Sequence, residues 1–160
     1  ASAIVAFLRA KAARAAASAG DAANGRAIFM GKGNCASCHR VNGVGARIAP
    51  DLSEIGRIRH STDIERALVE PDVMIVPSNR FVKLVTREGT TITGRLLNQD
   101  IFTVQLLDSR EQLRSIARAD LREFAFVDKS PMPSYRDKLS SQELTDLVSY
   151  LVSLQSGGAQ

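Results

Sequence analysis

Cys35 and Cys38 are the only cysteines of this chain, spaced C-x-x-C, and His39 follows the second directly in the stretch GKGNCASCHR. Three chemistries use such a pair: a redox disulfide, a metal site, or covalent attachment of haem. A redox pair belongs at the start of a helix that follows a strand, in an alternating βαβ pattern. Here the motif follows a helical stretch and precedes a loop. Zinc asks for four ligands, and His60 is the only histidine left. A histidine beside the second cysteine is also badly placed to turn onto the same tetrahedral ion. Two buried free cysteines would leave His39 unexplained. Haem accounts for all three residues. Two thioether bonds need thiols about one turn apart, and the adjacent imidazole reaches back to the iron. The expectation is one covalently attached haem c, with Cys35 and Cys38 as tethers and His39 as the proximal iron ligand.

An iron held by one histidine takes a sixth ligand or stays open. The candidates are Met30, Met74, Met132 and His60. Met30 precedes the motif on the proximal side and reads as core or surface filler. Met74 follows a helix end, where it can pack on a haem edge. His60, between Arg59 and Ser61, reads as a solvated surface residue. Met132 lies between Pro131 and Pro133, which stiffen the backbone. A thioether must be held on iron without help from charge, so a stiff loop favours Met132. A His/Met pair raises the reduction potential relative to two histidines. Both ligands persist through a one-electron change, which suits electron transfer.

The elements that must position these residues fall into parts. Residues 1–20 are Ala-rich and helix-prone, ending at Gly20, and read as an N-terminal extension or linker helix. Residues 21–79 read as helices and loops. Asp21 is an N-cap for a helix carrying Gly25, Ile28 and Phe29 at helical spacing. Asn42–Asp51 is a loop by its Gly and Pro content. In STDIERALVEP, Thr62 and Glu65 make a capping box, Ile64, Leu68 and Val69 form the apolar stripe, and Pro71 stops the helix. From Phe81 the period changes to alternation. Ile92, Gly94 and Leu96 share one strand face, and Phe102, Val104 and Leu106 share the next. About five short strands are expected over 80–129, as a curled antiparallel sheet. The clearest helix is LSSQELTDLVSYLVSL. Ser140 and Glu143 make its capping box, and Leu144, Leu147, Val148, Leu151 and Leu154 line one face.

The 160 residues carry a net charge of +4, with hydrophobic residues at 44%. That composition is globular, and its arginines are spread too widely to mark a nucleic-acid surface. No apolar run is long enough to span a bilayer. The short apolar stretch Ser2–Leu8 precedes its charges, the reverse of a signal peptide.

The stretches GDAANGRAIFMGKGNCASCHRVNGVGARIAPDLSEIG and SPMPSYRDKLSSQELTDLVSYLVSL resemble a class I cytochrome c. The resemblance implies that Gly25 and Phe29 of the first helix cross Tyr150 of the last. It implies that the Pro50 carbonyl braces His39, that Met132 is the distal ligand, and that Leu52 and Tyr135 line the haem pocket. The span between His39 and Met132 is unusually long. Its motifs, with ALVEPDVMIVPSNRFVKLVTREGTTITGRLLNQDIFTVQLLD and SIARADLREF, are similar to the haem-binding domain first noted in planctomycetes and verrucomicrobia. Members are often C-terminal modules of larger periplasmic, dehydrogenase-like proteins. The alternating segment also resembles an Sm-like small barrel.

The expected fold is thus mainly α, a class I cytochrome c formed by residues 21–79 and 130–160. A small antiparallel β-sheet or barrel (80–129) is inserted between the proximal and distal ligand halves. The expected function is single-electron transfer in the bacterial periplasm, or otherwise outside the cytoplasmic membrane, without catalysis. The exposed haem edge would be ringed by residues such as Ala36, Val44 and Ile48. The alternative is a gas sensor or peroxidase-like domain with a labile distal ligand, though no distal His/Arg pair is visible. Expected partners are a redox protein or an upstream dehydrogenase domain, with a homodimer through the β insertion as a further option. Phe81, Val85, Ile101, Leu107 and Val127 lie opposite the sheet's assigned core and are expected to supply such contacts. Nucleic acid is not expected.

Overall fold

The computed structural model describes residues 20–73 and 75–155. The expected extension over 1–20 (Gly20 excepted) and the alternative ligand Met74 lie outside the described residues. Helix α1 spans Ala22–Met30 and starts at Asp21, whose carboxylate accepts from the Ala23 and Asn24 amides. A 3-10 turn, Cys35–Ser37, follows. Two short strands, β1 (Arg40–Val41) and β2 (Val44–Gly45), pair as a small hairpin. Helices α2 (Ile55–Ile58) and α3 (Ser61–Val69) lead to the sheet. The last helix, α4 (Ser141–Ser153), opens on the expected Ser140–Glu143 capping box. The box expected at Thr62 does not form. Helix α3 begins two residues earlier than that box requires, at Ser61, with His60 as its N-cap and no side-chain cap bond. Thr62 and Glu65 therefore lie inside the helix.

Between α3 and α4 lies an inserted antiparallel sheet. Its strands are β3 (Phe81–Thr86), β4 (Thr91–Gln99), β5 (Thr103–Asp108), β6 (Leu113–Ala117) and β7 (Leu121–Phe126). Their spatial order is β6-β5-β4-β3-β7. Four strands form a meander. A 3-10 turn at Arg118–Asp120 then returns the chain so that β7 pairs with β3, Val82 opposite Phe126. Both ends of the insertion therefore meet, and the Val127 amide donates to the Phe81 carbonyl at 2.9 Å.

Two separate cores result. The helical one gathers Ile28, Phe29, Ile64, Leu68, Tyr135, Leu147 and Tyr150, among others. The sheet's own core is Val82, Leu84, Val104 and Leu106, flanked by Ile92, Leu96, Ile116, Leu121 and Phe124. Phe102, expected on the core face beside Val104, is instead 71% exposed. It precedes β5, in the bend where its amide binds the Asp100 carboxylate, so alternation does not yet govern it. Of the opposite face, Val85 and Leu107 are buried, whereas Ile101 is 80% exposed.

The helical half depends on a close crossing of α1 and α4. A Cβ on Gly25 would run into the Asp146 carbonyl oxygen and come within 2.8 Å of Tyr150 Cβ. Phe29 meets the Tyr150 ring edge-on, with centroids 5.6 Å apart. Gly25, Phe29 and Tyr150 thus come together as the resemblance implies.

Candidate haem site

The attachment motif is wound into one tight turn. Asn34 enters it with φ of +49°, a left-handed conformation that asparagine tolerates better than most residues. The Cys38 and His39 amides both donate to the Cys35 carbonyl, at 3.1 and 2.8 Å. Cys35 is buried and Cys38 exposed, and both are free thiols. Burial pushes the Cys35 thiol upward, and a hydrogen bond with Tyr135 works against that shift. The Tyr135 hydroxyl donates to the Gly33 carbonyl at 2.6 Å. Burial first, and the neighbouring Cys35 second, push the phenol up to about 12.

His39 Nδ1 lies 2.8 Å from the Pro50 carbonyl oxygen. A carbonyl only accepts, so Nδ1 carries the proton and Nε2 keeps its lone pair. Burial lowers the His39 pKa, the Pro50 bond raises it, and the nearby Arg95 charge lowers it further. The net direction favours neutral imidazole, the form that ligates a metal.

The Met132 loop is stitched to the end of α3 on both sides. The Ser130 amide donates to Asp72 Oδ1 at 2.7 Å, and Ser130 Oγ accepts from the Met132 amide at 3.2 Å. Ser134 Oγ donates to the Val69 carbonyl at 2.8 Å, and the Tyr135 amide donates to the Leu68 carbonyl at 2.9 Å. Met132 is half-buried and packs against the cluster that contains Cys35 and Tyr135. Leu52 packs against the same cluster. An open cleft of about 500 Å³ borders Met132, between Val69, Pro71, Lys129 and Ser130, and reaches neither cysteine nor His39. Of the other candidate ligands, Met30 is 47% exposed and His60 is exposed at the start of α3. Around the motif, Val44 is 59% exposed, and Ala36 and Ile48 are half-buried.

Two residues near the site carry no motif. Arg95 on β4 donates from Nε to the Ile48 carbonyl (3.1 Å) and from Nη2 to the Arg47 carbonyl (3.2 Å). Glu111, in the β5–β6 turn, accepts from the Arg47 amide (3.1 Å) and from Arg47 Nε (3.3 Å). Both contacts tie the sheet to the loop before Pro50. They join positions 47 and 64 residues apart, and no local spacing announces such a pairing.

The donor chemistry fits a covalently held haem. Two free thiols share one turn, the adjacent imidazole keeps a free Nε2, and a thioether sits on the same core as the buried thiol. No group of three or more His, Cys, Asp or Glu suited to holding a metal ion occurs among the described residues, so a zinc cage has no support there. No described helix is long and apolar enough to cross a membrane.

No curated protein matches the chain. Residues 22–101 match the family model for cytochrome c. That match spans half of the chain and contains Cys35, Cys38 and His39. The protein therefore belongs to the cytochrome c family, whose members bind haem and transfer electrons.

Proposed function

We propose that this protein is a periplasmic c-type cytochrome that carries single electrons through one haem c ligated by His39 and Met132. Haem bound here supplies an iron that cycles between two oxidation states. Cys35 and Cys38 hold it by thioether bonds. Pro50 fixes the tautomer and orientation of His39, as the partners of metal-bound histidines generally do. Leu52 and Tyr135 line the pocket. The observation that carries this reading is the 2.8 Å contact between His39 Nδ1 and the Pro50 oxygen, which leaves the Nε2 lone pair free to ligate in the residue that directly follows Cys38.

The proposal extends to organisation. Residues 21–79 and 130–160 act as the haem unit, 80–129 as an Sm-like insertion of the planctomycete and verrucomicrobial type, and 1–20 as a linker. The strand order β6-β5-β4-β3-β7, with a 3-10 turn before the last strand, supports the Sm-like part. A redox protein or an upstream dehydrogenase domain would exchange electrons at the edge near Val44. Ile101 and Phe102, both strongly exposed at one hairpin tip, supply apolar surface for self-association through the insertion.

The test is spectroscopic. The haem should stay on the polypeptide after denaturation and acid–organic extraction, because thioether bonds survive both. Met132→Ala should lose the weak far-red sulfur-to-iron(III) absorption and bind carbon monoxide rapidly. An unchanged far-red band in that variant would move ligation to another methionine. A wild-type spectrum without the band would favour His60 or an open iron.

A further inference from the structure

Residues 45–50 form a layer one chain thick between the attachment turn and the inserted sheet. On its inner side, the Ala46 amide donates to the Ala36 carbonyl (3.0 Å) and the Ala49 amide to the Cys38 carbonyl (2.9 Å). On its outer side, the Arg47 and Ile48 carbonyls accept both arms of the Arg95 guanidinium. Between them, Glu111 takes the Arg47 amide and side chain together. Every one of these bonds ends within three residues of Pro50 or on the haem motif itself.

The two sheet residues are specialised for this contact. Arg95 is half-buried, and desolvation disfavours its charge. Its acceptors among the described residues are the two loop carbonyls, with no carboxylate in the set. A rigid planar fork matches two successive carbonyls, which a lysine ammonium cannot do. Glu111 holds φ at +59°, a conformation that disfavours most side chains. Glycine would relieve that backbone, but it would lose the carboxylate that binds Arg47.

We propose that Arg95 and Glu111 are positioning residues that clamp residues 47–49 and so hold the Pro50 carbonyl on His39 Nδ1. Proline has a fixed φ, so the peptides before it set where its Cα and carbonyl carbon lie, and only rotation about ψ is left to aim the oxygen. The strength of the Nδ1–H···O bond sets how good a donor Nε2 is. The insertion, remote in sequence, thereby tunes the proximal ligand. This inference rests on His39 being that ligand.

The experiment follows solvent exchange of the His39 Nδ1 proton and the Ala49 amide by NMR in the reduced, haem-loaded protein. Arg95→Gln and Glu111→Gln should each speed exchange at both positions at least tenfold. Arg114→Gln should not, because Arg114 lies in the same sheet but faces Asp108 (3.8 Å). Val82 and Leu84 amides should stay protected in all variants, which shows that the sheet is folded. Reduction potentials separate geometry from field. A weaker Pro50 bond favours the reduced form, and removing the Glu111 charge does too, so Glu111→Gln should rise. A tenfold shift in that balance is about 59 mV for one electron. In Arg95→Gln the two effects oppose each other. Arg95→Lys keeps the charge, loses the fork, and should still show fast exchange; it also serves if the glutamine variant does not fold. Opposite potential shifts in the two glutamine variants with unchanged exchange would reduce Arg95 and Glu111 to background charges and overturn the clamp. A His39→Ala protein that kept its low-spin spectrum would instead overturn the ligand assignment, and Ala49 exchange would still judge the clamp.

Discussion

Asp146 sits where α1 and α4 cross, with only 3% of its surface exposed. Its carboxylate accepts from the Asp21 amide (2.8 Å), Asn24 Nδ2 (2.6 Å) and Gln142 Nε2 (2.8 Å). These donors, the Asn24 amide group first, stabilise the charged form and lower the Asp146 pKa. The folded value therefore lies below the unfolded one of about 3.9. The stabilisation is fully present above that unfolded value and is lost as pH falls through the folded one. Asp146→Asn should lower the urea midpoint at pH 7, and the gap from wild type should shrink as the pH drops below about 4. A gap that persists in strong acid would mean that shape, not charge, does the holding. Nothing local in SQELTDLV marks Asp146 for burial, because the burial comes from α1, more than a hundred positions away. Cys35, Cys38 and His39 were legible for the opposite reason. Their chemistry needs close spacing in the chain, and close spacing is what a sequence displays.

At the scale of elements, the α1–α4 crossing builds the helical core on which the Cys35–Ser37 turn and the Met132 loop both rest. Gly25→Ala places a methyl group against a backbone carbonyl, which cannot rotate away. Overpacking of a close-packed site costs about 1–3 kcal/mol, and this site belongs at the upper end. Urea denaturation should show a loss of about 3 kcal/mol, whereas a loss well under 1 kcal/mol would mean that the helices slide apart freely. Element identity was readable where one local force dominated. Asp21 and Ser140 cap their helices because each is followed by free amides and an apolar stripe. Thr62 carried the same pattern and failed, because His60 already supplies the extended residue from which α3 starts. Phe102 failed because an Asp100 turn, not the ladder, fixes its backbone. The β1–β2 hairpin is two residues a side, too short to show a period.

For the whole molecule, the two cores share no residue. Asp72 and Ser130, 58 positions apart, are nonetheless joined at 2.7 Å. Closing so long a loop from an unfolded segment would cost about 3–4 kcal/mol from length alone. The folded sheet removes that cost, because β3 and β7 are neighbours and return the chain to where it left. Replacing residues 74–129 with a short Gly/Ser linker should therefore preserve haem attachment and the far-red band, while Ala49 amide exchange accelerates as in the clamp variants. An intact mass without haem would show instead that the sheet belongs to the haem fold itself. The same closed detour bears on how such a chain diverges. A segment whose ends coincide can drift, lengthen or acquire a new binding edge without displacing Met132 relative to His39. Change in the outer strands β6 and β7 is thereby uncoupled from change in the Cys35–His39 turn and the Met132 loop, and the two must agree chiefly where Arg95 and Glu111 grip the loop at residues 47–48.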